Sequence, residues 1–543
     1  MAHPQWTLLC LVIAALGPFL AKPFNMDDPL FIWTARQIHL HPLNPYGFDV
    51  NWEETLAPMW RETENPPLAS YYIAGMAGIL GWSEIALHAA FLLPAIAAVL
   101  GTYRLARRCC DRPLLAAFAT LFAPVFLVSS TTVMCDVLML AFWIWAVVLW
   151  VEGMEQGGWR LTSAALLMAL ATLTKYFGIC LVPLLAVYGL GRKRRLGWWA
   201  TNLLIPVVAL CSWQWATQVM YHHGLVFGAI EYANRKGDFS LATRFVGGFT
   251  ALTFAGGCLA TAIFLSPWLW RRRTVLLLIV GGMILAFGVF AQGTLWKTYY
   301  WIEGSLRFSL EAQIVLWSIG GVLVLALAIT DVWIQRDGLA WLLALWAFGT
   351  FVFTAFFNWT VNGRSILPLA PVVGILLARR LQQRAVANEL KPGNAPGVFV
   401  ALAVGALLAV FVARSDHLLA VAVRESANKT YDRYGRNGHT VWFQGHWGFQ
   451  YYLDQLGGHE ADLQRSTPAV GDVLAVPVNN TSLNYPPGPR QGFYTAGPGF
   501  LADQNMYSGA GFYSALAGPV PFAFGRIPPE FVVIYSLQSG PGP

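Results

Sequence analysis

Between residues 5 and 413 the chain runs through about thirteen apolar stretches: 5–24, 82–103, 113–131, 137–151, 161–175, 177–190, 197–219, 245–270, 274–291, 313–330, 339–357, 365–380 and 397–413. A helix needs about 20 apolar residues to cross about 30 Å of hydrocarbon, and in lipid it must satisfy every backbone group internally. The pattern therefore predicts an all-α polytopic membrane domain. Composition agrees: hydrophobic residues make up 56% of the 543 and charged residues only 12%, against about 25% charged in soluble domains. A cytosolic enzyme, a secreted disulfide scaffold and a disordered regulator are excluded. The first stretch has no A-x-A-like cleavage site and reads as an uncleaved helix.

Charge gives the orientation. Arg104, Arg107, Arg108 and Arg112 fall in one loop, Arg192 to Arg195 in a second, and Arg271 to Arg273 in a third. Arg336 marks a fourth, and Arg379, Arg380, Arg384 and Lys391 a fifth. With alternating spans all five lie on one side, which the positive-inside rule makes cytoplasmic. The N-terminus is then inside, in a cell inner (plasma) membrane, and loops 25–81, 220–244 and 292–312 lie outside with everything after residue 413.

The stretch 414–543 differs in kind, with 8 basic against 9 acidic residues, leaving 27 against 19 for residues 1–413. Thr440–Phe443, Asp472–Val476 and Glu530–Tyr535 read as strands, and Phe449–Leu456 as a helix stopped by Gly457 and Gly458. This predicts a small α/β extracytoplasmic domain beside a transmembrane domain of residues 1–413. The seven cysteines all precede residue 414 and form no C-x-x-C pattern. No basic stripe with interleaved aromatics occurs, so nucleic acid is not a partner.

The polar residues gather in the predicted outer regions. Asp27 and Asp28 follow the first apolar stretch directly and precede Pro29, a helix-capping arrangement that also fixes the carboxylates in place. Glu64-Asn65-Pro66-Pro67-Leu68 opens a helix along the membrane surface. Asp136 follows Ser129-Ser130-Thr131-Thr132; an acid within a span faces a cavity or a partner. Lys175, on the side opposite the basic loops, either snorkels to headgroups or meets an anion. Arg364 opens Arg364-Ser365-Ile366-Leu367-Pro368-Leu369. The pair His222-His223 is a weak metal signal, more simply a polar loop.

The order of these elements resembles the GT-C superfamily of integral-membrane glycosyltransferases, in particular the aminoarabinose lipid A transferases and the protein O-mannosyltransferases. The resemblance rests on the topology, the acidic pair with Arg36 nine residues after Asp27, Glu64-x-Pro66-Pro67-Leu68, Asp136, Leu173-Thr174-Lys175 and Arg364…Leu367-Pro368-Leu369. It implies a GT-C fold with its active site in loop 25–81, a polyprenyl-phosphate-linked sugar donor held from the membrane lipid, and a glycan, lipid or protein acceptor. Asp27, Asp28 and Asp136 would be the catalytic acids, with Asp27 preferred because the family's second acid is usually Glu. Arg36, Asn65, Lys175 and Arg364 would hold substrate or phosphate, although Asn65 stands where relatives often carry Lys. A divalent metal would sit between Glu64 and His222 or His223.

Phosphate is a good leaving group, so a single general base can suffice, unlike glycoside hydrolysis with its two carboxylates. Asp27 would take the acceptor proton in one inverting displacement, and Asp136 would orient Arg36 or the acceptor. A lipid or sugar transporter or flippase is the first alternative, but it predicts midplane charges and paired broken helices. A lipid-linked oligosaccharide transferase and a non-catalytic scaffold are the others.

Overall fold

The computed structural model describes residues 3–53, 55–63, 65–237, 240–299, 305–387, 389–390, 395–462, 465–466, 468–481, 483–484, 489–497 and 499–536. Helix covers most of each of the thirteen apolar stretches. Among the described residues, seven helices are long and apolar enough to cross a membrane: Glu84–Cys109, Cys135–Gln156, Trp198–Tyr221, Arg272–Gln292, Phe308–Gln335, Gly338–Phe357 and Ala395–Gly435. Two bent pairs, Pro113–Leu121 with Pro124–Ser130 (61°) and Thr243–Cys258 with Thr261–Leu269 (81°), raise this to nine if each is one span. The chain is thus a multi-pass membrane protein, and the expected count of thirteen is not reached. The shortfall has a physical reason. Pro4–Phe19 and Trp159–Thr174 are apolar but short, and Leu369–Val386 carries Arg379, Arg380 and Arg384 in its last turns.

The Cys135–Gln156 helix is the centre of the bundle. Its most apolar window is 83% buried, and it bears acids only at its two ends, Asp136 in the first turn and Glu152 and Glu155 in the last. A helix apolar all round belongs in such a position. The Glu84–Cys109 helix runs parallel to it, with Trp145 Nε1 donating to Ala97 O at 2.9 Å midway and Arg104 Nε 2.9 Å from Glu152 Oε1 where both helices end. These 22 residues span about 33 Å at 1.5 Å per residue, so the bundle has two ends, one carrying Asp136 and the other Glu152.

The C-terminal segment contains a five-stranded mixed sheet in the order His459–Glu460, Val441–Phe443, Val473–Pro477, Phe531–Ser536, Arg490–Tyr494. The first three strands are parallel and the last two are antiparallel additions. Every residue of Val473–Pro477 is buried, as expected of an apolar run in a strand covered on both faces. The predicted strands 440–443, 472–476 and 530–535 and the helix 449–456 all form, the helix as Trp447–Leu456. That helix lies against the segment that begins with Asp27.

Candidate active site

A short chain reversal after the first helix places the acidic pair. Lys22 donates to Phe19 O at 3.0 Å through its backbone and ends the first helical run. Met26 then adopts φ +51°, a left-handed conformation that costs a non-glycine residue about 1–2 kcal/mol. Its side chain is buried, so packing holds the strained turn. Asp28 closes it: Asp28 Oδ2 accepts from Asn25 N at 3.0 Å, and Asp28 Oδ1 accepts from Val133 N at 2.7 Å. The second bond ties the acidic turn to the break between Ser130 and Cys135, from which Asp136 begins its helix.

Two contacts from the C-terminal segment brace this turn. Tyr452 Oη accepts from Phe24 N at 2.8 Å, and Asn25 Oδ1 accepts from Gly448 N at 3.2 Å. Glycine is required at 448, because a Cβ there would stand 2.5 Å from the Phe24 carbonyl oxygen.

Four charged side chains from four separate segments meet here. Arg364 Nη1 donates to Asp27 Oδ2 at 2.6 Å, and Lys175 Nζ donates to Asp136 Oδ1 at 2.6 Å. Arg364 also interacts electrostatically with Asp136, and Lys175 with Arg364, so the two pairs form one balanced quartet. Asp136 is fully buried, while Lys175, Arg364 and Asp27 keep 20%, 18% and 28% of their side chains exposed. Helix ends set the signs. Asp136 stands in a first turn, where the dipole favours an anion, and Lys175 follows the last residue of Trp159–Thr174, where it favours a cation. Asn362 caps the turn that carries Arg364, its Oδ1 accepting from Ser365 N at 2.8 Å. Arg364 further contacts Met134 Sδ at 3.3 Å and lies over the Tyr513 ring at 5.6 Å, leaving its Nε buried and without a partner.

Asp28, expected to share the chemistry, is corrected to a different role. It is wholly buried, with both oxygens engaged by backbone N–H groups, and cannot touch a substrate. Burial pushes its carboxyl up to about 7, against the opposing pull of Lys22 and the two N–H donors. Arg36 is also corrected. It donates to Tyr451 Oη at 3.1 Å and lies over Trp82 and Tyr451, whereas Asp136 accepts from Lys175, so Asp136 does not orient it. Asn65 adjoins the quartet through Tyr46, which donates to the Asn65 carbonyl at 2.7 Å and lies near Cys135.

Of the three residues expected to hold a metal, His222 and His223 are described. His222 ends a helix at φ +54° and the His223 ring packs on Trp60 at 5.5 Å. Glu64 lies outside the described residues, among which no group of three His, Cys, Asp or Glu side chains could hold a metal.

Sequence reasoning missed Lys22, Asp416 and Tyr513. Lys22 pairs with Asp416 where both are buried, and Tyr513 Oη donates to Asp416 Oδ1 at 2.9 Å. A lysine at the end of an apolar stretch was a visible signal for the first. Nothing local marked the other two.

Residues 64–221 match the family model of dolichyl-phosphate-mannose-protein mannosyltransferase. No curated protein matches the sequence. Among solved structures, ArnT from Cupriavidus metallidurans bound to undecaprenyl phosphate is 15% identical with a TM-score of 0.49, covering 100% of both chains. The Archaeoglobus fulgidus oligosaccharyltransferase tethered to an acceptor peptide is 12% identical with a TM-score of 0.46, covering 84% of this chain and 63% of its own. The resemblance to GT-C superfamily glycosyltransferases, read from the sequence, is supported by the family model across 64–221.

Proposed function

We propose that this glycosyltransferase-like membrane protein moves a sugar from a polyprenyl-phosphate donor to an acceptor hydroxyl, using Asp27 as general base. The single observation that carries the reading is the quartet: two cations and two carboxylates, drawn from four segments, meeting at one end of a helix bundle. The family description supplies the donor class.

The chemistry follows from the pairing. Arg364 now holds Asp27 at 2.6 Å, which occupies a carboxylate oxygen the acceptor proton would need. A phosphate competes for the same guanidinium and for Lys175, since both cations form charge-assisted bonds to phosphate oxygens. Donor binding thereby frees Asp27. The acceptor oxygen then attacks the anomeric carbon and its proton passes to Asp27. The bond from that carbon to the phosphate oxygen breaks, its electron pair leaves with the polyprenyl phosphate, and the anomeric centre inverts. Lys175 and Arg364 stabilise the charge that grows on the leaving phosphate. Asp136 keeps Lys175 charged and aimed.

By the positive-inside rule the Arg104 end faces the cytoplasm and the quartet faces outward, on the side of the segment that follows the Ala395–Gly435 helix. The resemblance also assigns a divalent metal to Glu64 with His222 or His223; no step above passes through it. The test is incubation of purified protein with a panel of polyprenyl-phosphate sugars and candidate acceptors, scoring release of polyprenyl phosphate. Release that depends on acceptor supports the reading. Vectorial movement of intact lipid-linked sugar in liposomes without cleavage would replace it with a flippase.

A further inference from the structure

A cavity of about 340 Å³ lies beside the Asp28–Leu40 helix, lined by Trp33, Arg36, Phe48, Asp49, Asp454 and Glu460 among others. None of these six belongs to the quartet. The wall has two kinds of surface. Trp33 supplies an aromatic face, half-buried and fixed edge-on to Trp52 at 6.4 Å and against Tyr451 at 6.2 Å. Arg36 supplies a guanidinium held in place by Tyr451 and Trp82.

Opposite them stands a carboxyl pair. Glu460 Oε1 accepts from Gln450 Nε2 at 2.7 Å, and Asp454 hydrogen-bonds to Glu460. Burial and the neighbouring carboxyl both raise Asp454, so it carries the proton of the pair. That proton lies in the bond between the two carboxyls, and their remaining oxygens accept hydrogen bonds. Beside the pair, Gln450 and His446 are buried and interact with each other, and these two residues line a small adjoining space that shares Glu460.

We propose that this cavity binds one sugar ring of the acceptor, which would then be a glycan. The inference rests on the transferase reading above and names its acceptor class. A sugar ring presents an apolar C–H face and a rim of hydroxyls that both donate and accept. Trp33 matches the face; the carboxyl pair and Arg36 match the rim. A basic peptide fits less well, because Arg36 stands in the wall and the shared proton removes one negative charge. The volume suits a small ligand, pockets for which run about 300–1,000 Å³. Position also suits: Arg36 follows Asp28 by eight residues on one helix, about 12 Å at 1.5 Å per residue.

The experiment uses the full chain in detergent and four free probes: methyl glucoside, its 2-amino analogue, glucuronic acid and tri-lysine. Saturation-transfer NMR with titration reads binding to the parent, Trp33→Ala, Glu460→Gln and Asp27→Asn. The neutral or amino sugar is expected to bind. Trp33→Ala and Glu460→Gln should each weaken it about tenfold, the size of one lost stacking or charge-assisted contact, and Asp27→Asn should leave it unchanged. No sugar binding, sugar binding that ignores both wall variants, or tighter binding of tri-lysine overturns the proposal. Transfer activity separates the two readings. Sugar binding without any transfer defeats the enzyme assignment and leaves a sugar site. Transfer with wall-insensitive binding defeats only the cavity.

Discussion

The two ends of the bundle spend their charges differently. At the Glu152 end, cations outnumber acids and crowd them: Glu152 is met by Arg104 at 2.9 Å, Arg108 at 3.7 Å and Arg160 at 3.9 Å, and Glu389 by Arg271 at 2.6 Å and Arg384 at 3.0 Å. Arg379 there grips Asp331 at 2.9 Å with both partners buried. At the Asp27 end the pairing is one cation to one acid, and three of the four quartet members keep an exposed edge. Surplus cations tie helix ends together and face headgroups. A balanced, half-open quartet can exchange a partner for an incoming phosphate. The difference separates anchoring from chemistry.

The largest effect belongs to Asp27. Asp27→Asn is expected to lower transfer by about 10²–10⁴-fold, the usual worth of a general base, with the thermal midpoint in detergent close to the parent. Near-normal turnover would erase the distinction between the two ends.

Next comes Lys175. Removing it as Lys175→Met strips Asp136, which is 1% exposed, and leaving a buried charge unpaired costs about 3–5 kcal/mol. Adding Asp136→Leu should restore much of that stability while transfer stays about 10²–10³-fold down, as for loss of a donor at a developing charge. Recovery of both together would make the pair purely structural.

Arg379→Met is the counterpart at the other end. It is expected to cost a similar 3–5 kcal/mol by abandoning buried Asp331, yet to leave turnover per folded molecule unchanged. A fall in turnover would show that the ends are coupled.

A smaller effect concerns Asp28, whose buried carboxyl sits at about 7 against about 3.9 in an unfolded chain. The folded state holds that proton more tightly. The group's contribution is therefore full below about pH 4 and is lost as pH rises through about 7. The thermal midpoint should fall across that window, and Asp28→Asn, which cannot titrate, should flatten the slope. The smallest effect is Arg104→Ala: with its side chain 49% exposed and two other arginines still near Glu152, the loss should lie within about 0.2–1 kcal/mol by chemical denaturation.

Much of the fold was legible because lipid simplifies the problem. A run such as 135–156 has no alternative to a helix once water is removed, and acids placed only at its ends mark where it meets polar surroundings. Asp27, Asp136, Lys175 and Arg364 could be picked out one by one, since each is a charge beside an apolar stretch. Span counting failed where a stretch is short, as in 159–174, or bends, as in 243–269, because length and breaks depend on neighbours that cover the exposed backbone. Asp28 misled because its neighbour Asp27 looks chemically equal in sequence. Burial against Val133 separates them.

Sequence alone determined that this chain lives in a bilayer, where its helices lie and which residues carry spare charge, because solvation energy is a local property of each segment. Tertiary structure alone decided which charges meet. Arg364 reaches Asp27 across 337 positions and Tyr513 reaches Asp416 across 97. Coulomb attraction depends on separation in space, and only the packed bundle sets that separation.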